Sequence, residues 1–99
     1  MSKLAEEIVT YYEARGLVWP DTRDALAWCI TELAEAYEVL LSRKNWVRNN
    51  PDDKPDWDAE AFCTELGDAV MMLVVAGWVN GRDVLDLLRT KMNGKLRKL

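Results

Sequence analysis

The chain has no histidine among its 99 residues, and no other gap in its composition removes as much chemistry. Ser-His and Cys-His nucleophile systems need an imidazole base. The di-iron carboxylate motif of helical bundles needs a histidine as well. Two cysteines, Cys29 and Cys63, are too few for a disulfide framework, and without histidine they are too few for a zinc site. Both fall inside predicted helices and read as buried free thiols. Positive charge is also short: 13 Lys and Arg stand against 17 Asp and Glu, a net charge of −4. A nucleic-acid partner wants a basic face, so none is expected. Long apolar runs are missing too. The uncharged stretch from Ala69 to Val79 is too short to span a bilayer. The opening residues, Met1-Ser2-Lys3-Leu4-Ala5-Glu6-Glu7, are amphipathic rather than a leader. The expectation is therefore no membrane and cytoplasmic residence.

With 49% apolar and 30% charged residues, the chain suits one folded domain over residues 1–99 with a thin core. Apolar spacing predicts an all-α, four-helix bundle. The first helix runs from about Ser2 to Arg15, with Leu4, Ile8, Tyr11 and Tyr12 inward and Gly16 as its stop. Asp21 is the expected N-cap of a second, from about Thr22 to Lys44. Leu26, Ile30, Leu33, Tyr37 and Leu40 recur along it at helical spacing. A polar stretch from Asn45 to Asp56, with Pro51 and Pro55, is long enough to act as a flap. A third helix covers Trp57 to Val79, and Asn80-Gly81 is a turn. The fourth starts near Arg82 and carries Val84, Leu85, Leu88, Met92 and Leu96 on one stripe. Beyond Asp68 the third helix is apolar nearly all round and needs cover on every side. So short a chain does not easily supply that cover. A homo-oligomer, dimer or tetramer, is expected, with Val70, Met71, Val74 and Trp78 near the subunit contact.

Two of these helices carry acids where core residues belong. Thr31-Glu32-Leu33-Ala34-Glu35 and Thr64-Glu65-Leu66-Gly67-Asp68 each hold an acid pair three residues apart, on one helical face. At about 100° per residue, Glu32 projects among Ala25, Trp28, Cys29, Ala36 and Val39. Glu65 projects among Ala61, Phe62, Ala69, Met72 and Ala76, and Asp68 leans toward Ala61 and Val75. Unpaired carboxylates are too costly to bury for packing alone. Four of them on two helices that must pack together suit a hard divalent cation. Glu38 lies about 120° from Glu32, at the rim or in solvent. The competing reading is a set of ordinary exposed helix acids, since an E-x-x-E arises easily in so acidic a chain. The E-x-x-E of Glu35 and Glu38 is a second register for the first pair.

This pattern resembles the MazG-like all-α nucleoside triphosphate pyrophosphohydrolases, the group that includes the dCTP pyrophosphatases. Their E-x-x-E is followed, one to three dozen residues on, by E-x-x-D. Glu32, Glu35, Glu65 and Asp68 match it, with 29 residues between Glu35 and Glu65. Arg23-Asp24-Ala25-Leu26 and Lys91-Met92-Asn93-Gly94-Lys95-Leu96-Arg97 extend the likeness over nearly the whole chain. The family's C-terminal Lys, then Asn four residues later, is not kept: Lys95 stands four residues after Lys91, and Asn93 is out of register.

The resemblance implies an oligomeric MazG-like fold and Mg²⁺-dependent hydrolysis of a (d)NTP to (d)NMP and pyrophosphate, with Mn²⁺ as a substitute ion. Glu32, Glu35, Glu65 and Asp68 would be the metal ligands. Glu38 or another acid of the set would take the proton of the attacking water. Lys91, Lys95 and Arg97 would bind phosphate oxygens, although three cations also suit a helix C-terminus. Trp19 and Trp46 occupy the places where relatives put base-stacking aromatics, and loop anchoring would equally explain them. Trp28 and Trp78 lie inside helices and read as core. Two alternatives share these features: a phosphoribosyl-ATP pyrophosphohydrolase-like enzyme, and a non-catalytic helical interaction module whose acids pair with cations across an oligomer.

Overall fold

Ser2 starts the first helix, its hydroxyl accepting from the Ala5 amide at 3.3 Å. This helix, α1, runs Lys3–Ala14 and buries Ala5, Ile8 and Tyr12, which share one face. Leu4 and Tyr11, expected to point inward, are exposed, and the Arg15 guanidinium lies 4.4 Å from the Tyr11 ring centre. The computed structural model describes residues 1–41 and 58–97, without the side chains of Leu96 and Arg97. Among the described residues all regular structure is helical: α1, then α2 (Thr22–Leu41), α3 (Ala59–Trp78) and α4 (Val84–Arg97). The expected extension of the second helix to Lys44 and the Asn45–Asp56 flap lie outside them.

Each later helix starts on an aspartate. Asp21 Oδ1 accepts from the Asp24 amide at 2.8 Å, as its position in the sequence predicts. Asp58 accepts from Ala61 at 2.9 Å. Asp83 accepts from the Leu85 and Asp86 amides at 3.0 and 3.2 Å, and also from Ser2, which ties the start of α1 to the start of α4. Endings are equally local. Gly16 and Gly81 take positive φ (60° and 71°), where a side chain would be strained. The Leu17 amide reaches Tyr12 O at 2.9 Å, and Arg82 reaches Gly77 O at 3.0 Å, so both ends close in the Schellman pattern.

The α3-to-α4 corner is tight. A Cβ on Gly77 would collide with the Val84 side chain and lie 3.1 Å from the Arg82 carbonyl. Gly77→Ala should therefore cost about 1–3 kcal/mol, the usual range for overpacking, read as a lower urea midpoint with an unchanged slope. A wild-type midpoint would show that the corner gives way freely.

The centre of the molecule is the antiparallel pair α2 and α3. At one end the Asn80 amide donates to Thr22 Oγ1 and Ala76 O, each at 2.8 Å. Ala25, Cys29 and Ala36 are the buried residues of α2. Ala69, Met72, Val74, Val75 and Ala76 are those of α3. Small side chains on α2 let the two backbones come close. Tyr12 joins from α1, stacked on Trp19 at 4.4 Å, with its hydroxyl against the Met72 sulfur. Leu85 of α4 packs on the same cluster.

Three expectations about packing are corrected here. The large apolar residues of α2 do not face the core: Leu26, Leu33 and Tyr37 are exposed, and Ile30 is 67% exposed. Val74, expected at a subunit contact, is 2% exposed within a single chain. Leu88 and Met92 of α4 also stand in solvent. α3 is long and apolar enough to span a bilayer by length and composition alone. In this fold it is the central core helix, and it carries Glu60, Glu65 and Asp68.

Candidate metal centre

Because α2 and α3 run antiparallel, residues opposite one another have numbers that sum to about 100. Glu32 therefore meets Asp68, and Glu35 meets Glu65. The helical repeat turns all four toward one edge of the α2–α3 seam. One carboxylate oxygen from each of Glu32, Glu65 and Asp68 lies within 4.8 Å of the others. All three residues are half-buried. Glu35 is exposed, yet its carboxyl approaches Glu65 closely enough that a proton on one could be shared with the other. Oε2 of Glu65 is hidden from solvent and has no hydrogen-bond donor among the described residues. A buried acceptor with no donor is a cost the fold must offset elsewhere.

The electrostatics agree with the geometry. Glu35 is raised above the ordinary 4.5, first because its protonated form can donate to Glu65, then by the charge of Glu65 and by burial. Glu65 is also raised, first by the same kind of sharing with Glu32, then by burial and the charges of Glu32 and Asp68. Asp83, at the far corner, is lowered below 3.8, chiefly by the Ser2 amide it accepts from.

Acids raised by folding bind more protons in the folded state, so folding loses stability as pH climbs from the ordinary value through the raised one. Metal-free protein should thus melt at a higher temperature near pH 5 than near pH 7. Asp83 has the opposite sign: its contribution is present above 3.8 and disappears as pH falls through its lowered value. Melting temperature should therefore pass through a maximum in mildly acid solution and fall again below about pH 4. Scanning calorimetry with a chelator present tests this, and a curve rising monotonically from pH 5 to 7 would contradict it.

The other sequence candidates are dispersed. Glu38 is exposed one turn beyond Glu35, and its charge adds slightly to the raised value there. Lys91 and Lys95 are exposed on α4. Arg97 closes α4, its side chain outside the described residues, and Trp46 lies outside them altogether. Trp19 is half-buried and gives one ring face to Tyr12 at an interplanar angle of 11°.

Two side chains differ from expectation. Cys63 is exposed, while Cys29 is buried. Trp28, expected in the core, is 58% exposed. It borders a cavity of about 310 Å³ with Thr31 and Glu32. A signal for this was present in the sequence: Trp28 is four residues before Glu32 and seven before Glu35, on the same face as both. No protein-family profile, curated protein or solved structure matches the chain.

Among the described residues the clustered donors, Glu32, Glu65 and Asp68, are all carboxylates. They fit a hard cation such as Mg²⁺ or Mn²⁺ that keeps several positions for other ligands.

Proposed function

We propose that the protein is a Mg²⁺-dependent nucleoside triphosphate pyrophosphohydrolase of the MazG-like all-α type. The observation that carries this reading is the donorless Oε2 of Glu65, set among acids of two helices. Such an arrangement destabilises the empty fold, and a divalent cation resolves it. Glu32, Glu65 and Asp68 would hold the ion, with Glu35 as a fourth oxygen donor and Mn²⁺ as a substitute metal. When bound, the ion supplies charge neutralisation for phosphate oxygens and a more acidic water.

The remaining roles fall to the chain's own side chains. Glu38, exposed beside the cluster, takes the proton of the attacking water. The new bond forms from water oxygen to the α-phosphorus. The α–β bridging oxygen leaves with pyrophosphate, and a nucleoside monophosphate remains. Lys91, Lys95 and Arg97 bind phosphate oxygens through charge-assisted contacts. By the resemblance Trp19 and Trp46 contribute to substrate binding, although Trp19 already gives one ring face to Tyr12. The assembly is a homo-oligomer, dimer or tetramer, in the cytoplasm, with neither nucleic acid nor membrane as partner. The exposed stripe of Leu26, Ile30, Leu33 and Tyr37 supports self-association, because these residues form one contiguous apolar face. The same stripe favours the second reading, a non-catalytic helical interaction module.

A screen of nucleoside triphosphates with Mg²⁺, assayed for pyrophosphate and orthophosphate separately, decides between these. Release of pyrophosphate and monophosphate is expected. Orthophosphate release would point to a different hydrolase. No turnover, together with no thermal shift in millimolar Mg²⁺, would leave the interaction module. Turnover of phosphoribosyl-ATP alone would assign the related enzyme class, which uses the same acids.

A further inference from the structure

We propose that the cavity beside the acid cluster receives the planar base of a nucleotide, lying against the indole of Trp28. This rests on the pyrophosphohydrolase reading and names the part of the substrate that the acids do not touch.

Trp28 is in the middle of α2, not at a frayed end, and it is 58% exposed. An indole carries a large apolar surface, so leaving most of it in water at a fixed helical position is unfavourable. Its i+3 and i+4 neighbours, Thr31 and Glu32, are the other described residues that line this open 310 Å³ pocket. That size matches the lower end of small-ligand pockets, which start at about 300 Å³. Glu32 belongs to both the cavity and the acid cluster. A ligand in the cavity is therefore continuous with whatever the acids hold. A base linked to a polyphosphate with its metal fits this combination of an exposed indole and adjoining carboxylates.

The polar walls narrow the choice. Thr31 Oγ1 donates to the Ala27 carbonyl at 3.0 Å, so its hydroxyl offers only lone pairs to the cavity. Glu32 also only accepts when ionised. The walls suit a base edge or sugar that presents N–H or O–H donors. Trp19 cannot offer the same open platform, because Tyr12 covers one of its faces at 4.4 Å. Trp28 also lies about 160° around α2 from Ile30, away from the apolar stripe that a second copy would cover.

The test is calorimetric titration in millimolar Mg²⁺ with two probes. One is inorganic tripolyphosphate, which has no base. The other is an α,β-methylene nucleoside triphosphate, which cannot be cleaved at the scissile link. Wild-type protein should bind the nucleotide analogue more tightly than tripolyphosphate. W28A should weaken the analogue roughly 5- to 150-fold and leave tripolyphosphate unchanged. W28F should retain most of the preference, and sedimentation of W28A should match wild type. Equal loss of both probes in W28A, no loss of either, or dissociation of the assembly would overturn the proposal. Wild-type protein that binds both probes equally would defeat the base site while leaving the metal reading intact. Wild-type protein that binds neither would defeat both.

Discussion

Glu65→Gln should raise the melting temperature of the metal-free protein and, in the same step, abolish its response to Mg²⁺. The carboxylate of Glu65 has one oxygen with no donor and stands against Glu32, Glu35 and Asp68. An amide removes a negative charge from the cluster and supplies two N–H donors to its neighbours. The empty protein is relieved, and the loaded protein loses a ligand. For wild type, Mg²⁺ at a hundredfold excess over Kd adds about 2.7 kcal/mol by linkage. In a domain of this size that is roughly 10–20 °C in Tm. The variant should show almost none of it. Loss of an outer-shell partner in metal sites costs about 10- to 100-fold, so on the proposed pyrophosphohydrolase reading Glu65→Gln should reduce pyrophosphate release by more than about a hundredfold. A Glu65→Gln protein that melts lower than wild type and still gains stability from Mg²⁺ would refute the site. Thermal shift with and without a chelator is sufficient to read this.

A second pair of substitutions should separate the core from the self-association face. Val74→Asp should eliminate the cooperative fold. Val74 is 2% exposed on the central helix, and an unpaired charge there costs about as much as a small domain has to lose. Ile30→Asp should do the reverse. At 67% exposure the new carboxylate is solvated in the single chain, so helicity and melting should change little. In an oligomer that covers the Leu26–Ile30–Leu33–Tyr37 stripe, the same charge would be buried unpaired, and the assembly should dissociate. Far-UV circular dichroism and sedimentation velocity report the two outcomes separately. Ile30→Asp sedimenting as wild type would remove this stripe as the contact.

The distance between these two residues also shows what the sequence did and did not reveal. The four-helix pattern, the Asp21 cap and the stops at Gly16 and Asn80-Gly81 were legible, because each cap and stop acts through its own backbone neighbours. The shared face of each acid pair was legible for a related reason: spacing of three residues fixes it whatever else packs, and Glu32, Glu65 and Asp68 do lie together. The inner face of α2 was not legible. Its largest side chains repeat at helical spacing, and periodicity alone selects them as the core. The structure buries Ala25, Cys29 and Ala36 instead, a row of small residues. α3 is apolar on nearly every side, so it accepts a close approach by whichever face of α2 is smooth. The choice between two amphipathic faces is a property of the pair, and no single helix encodes it. Trp28 follows the same logic: turning the small face inward carries the indole to the edge of the seam, beside the acids.

The pairing of α2 with α3 also sets an order of events for a chain that is still unfolded. These helices are consecutive, so their contacts are nearer in sequence than those joining α1 to α3, and the loop entropy of bringing them together is lower. Because they also share the most extensive helix–helix contact of the described fold, we expect them to form the nucleus. Glu32, Glu35, Glu65 and Asp68 lie inside that nucleus, so mutual repulsion acts on the folding transition state and not only on the finished protein. Protons or a divalent cation that quench this repulsion belong on the folding limb of the chevron as well as the unfolding limb. If the proposed site takes a divalent cation, the chain should reach its native state faster when that cation is present.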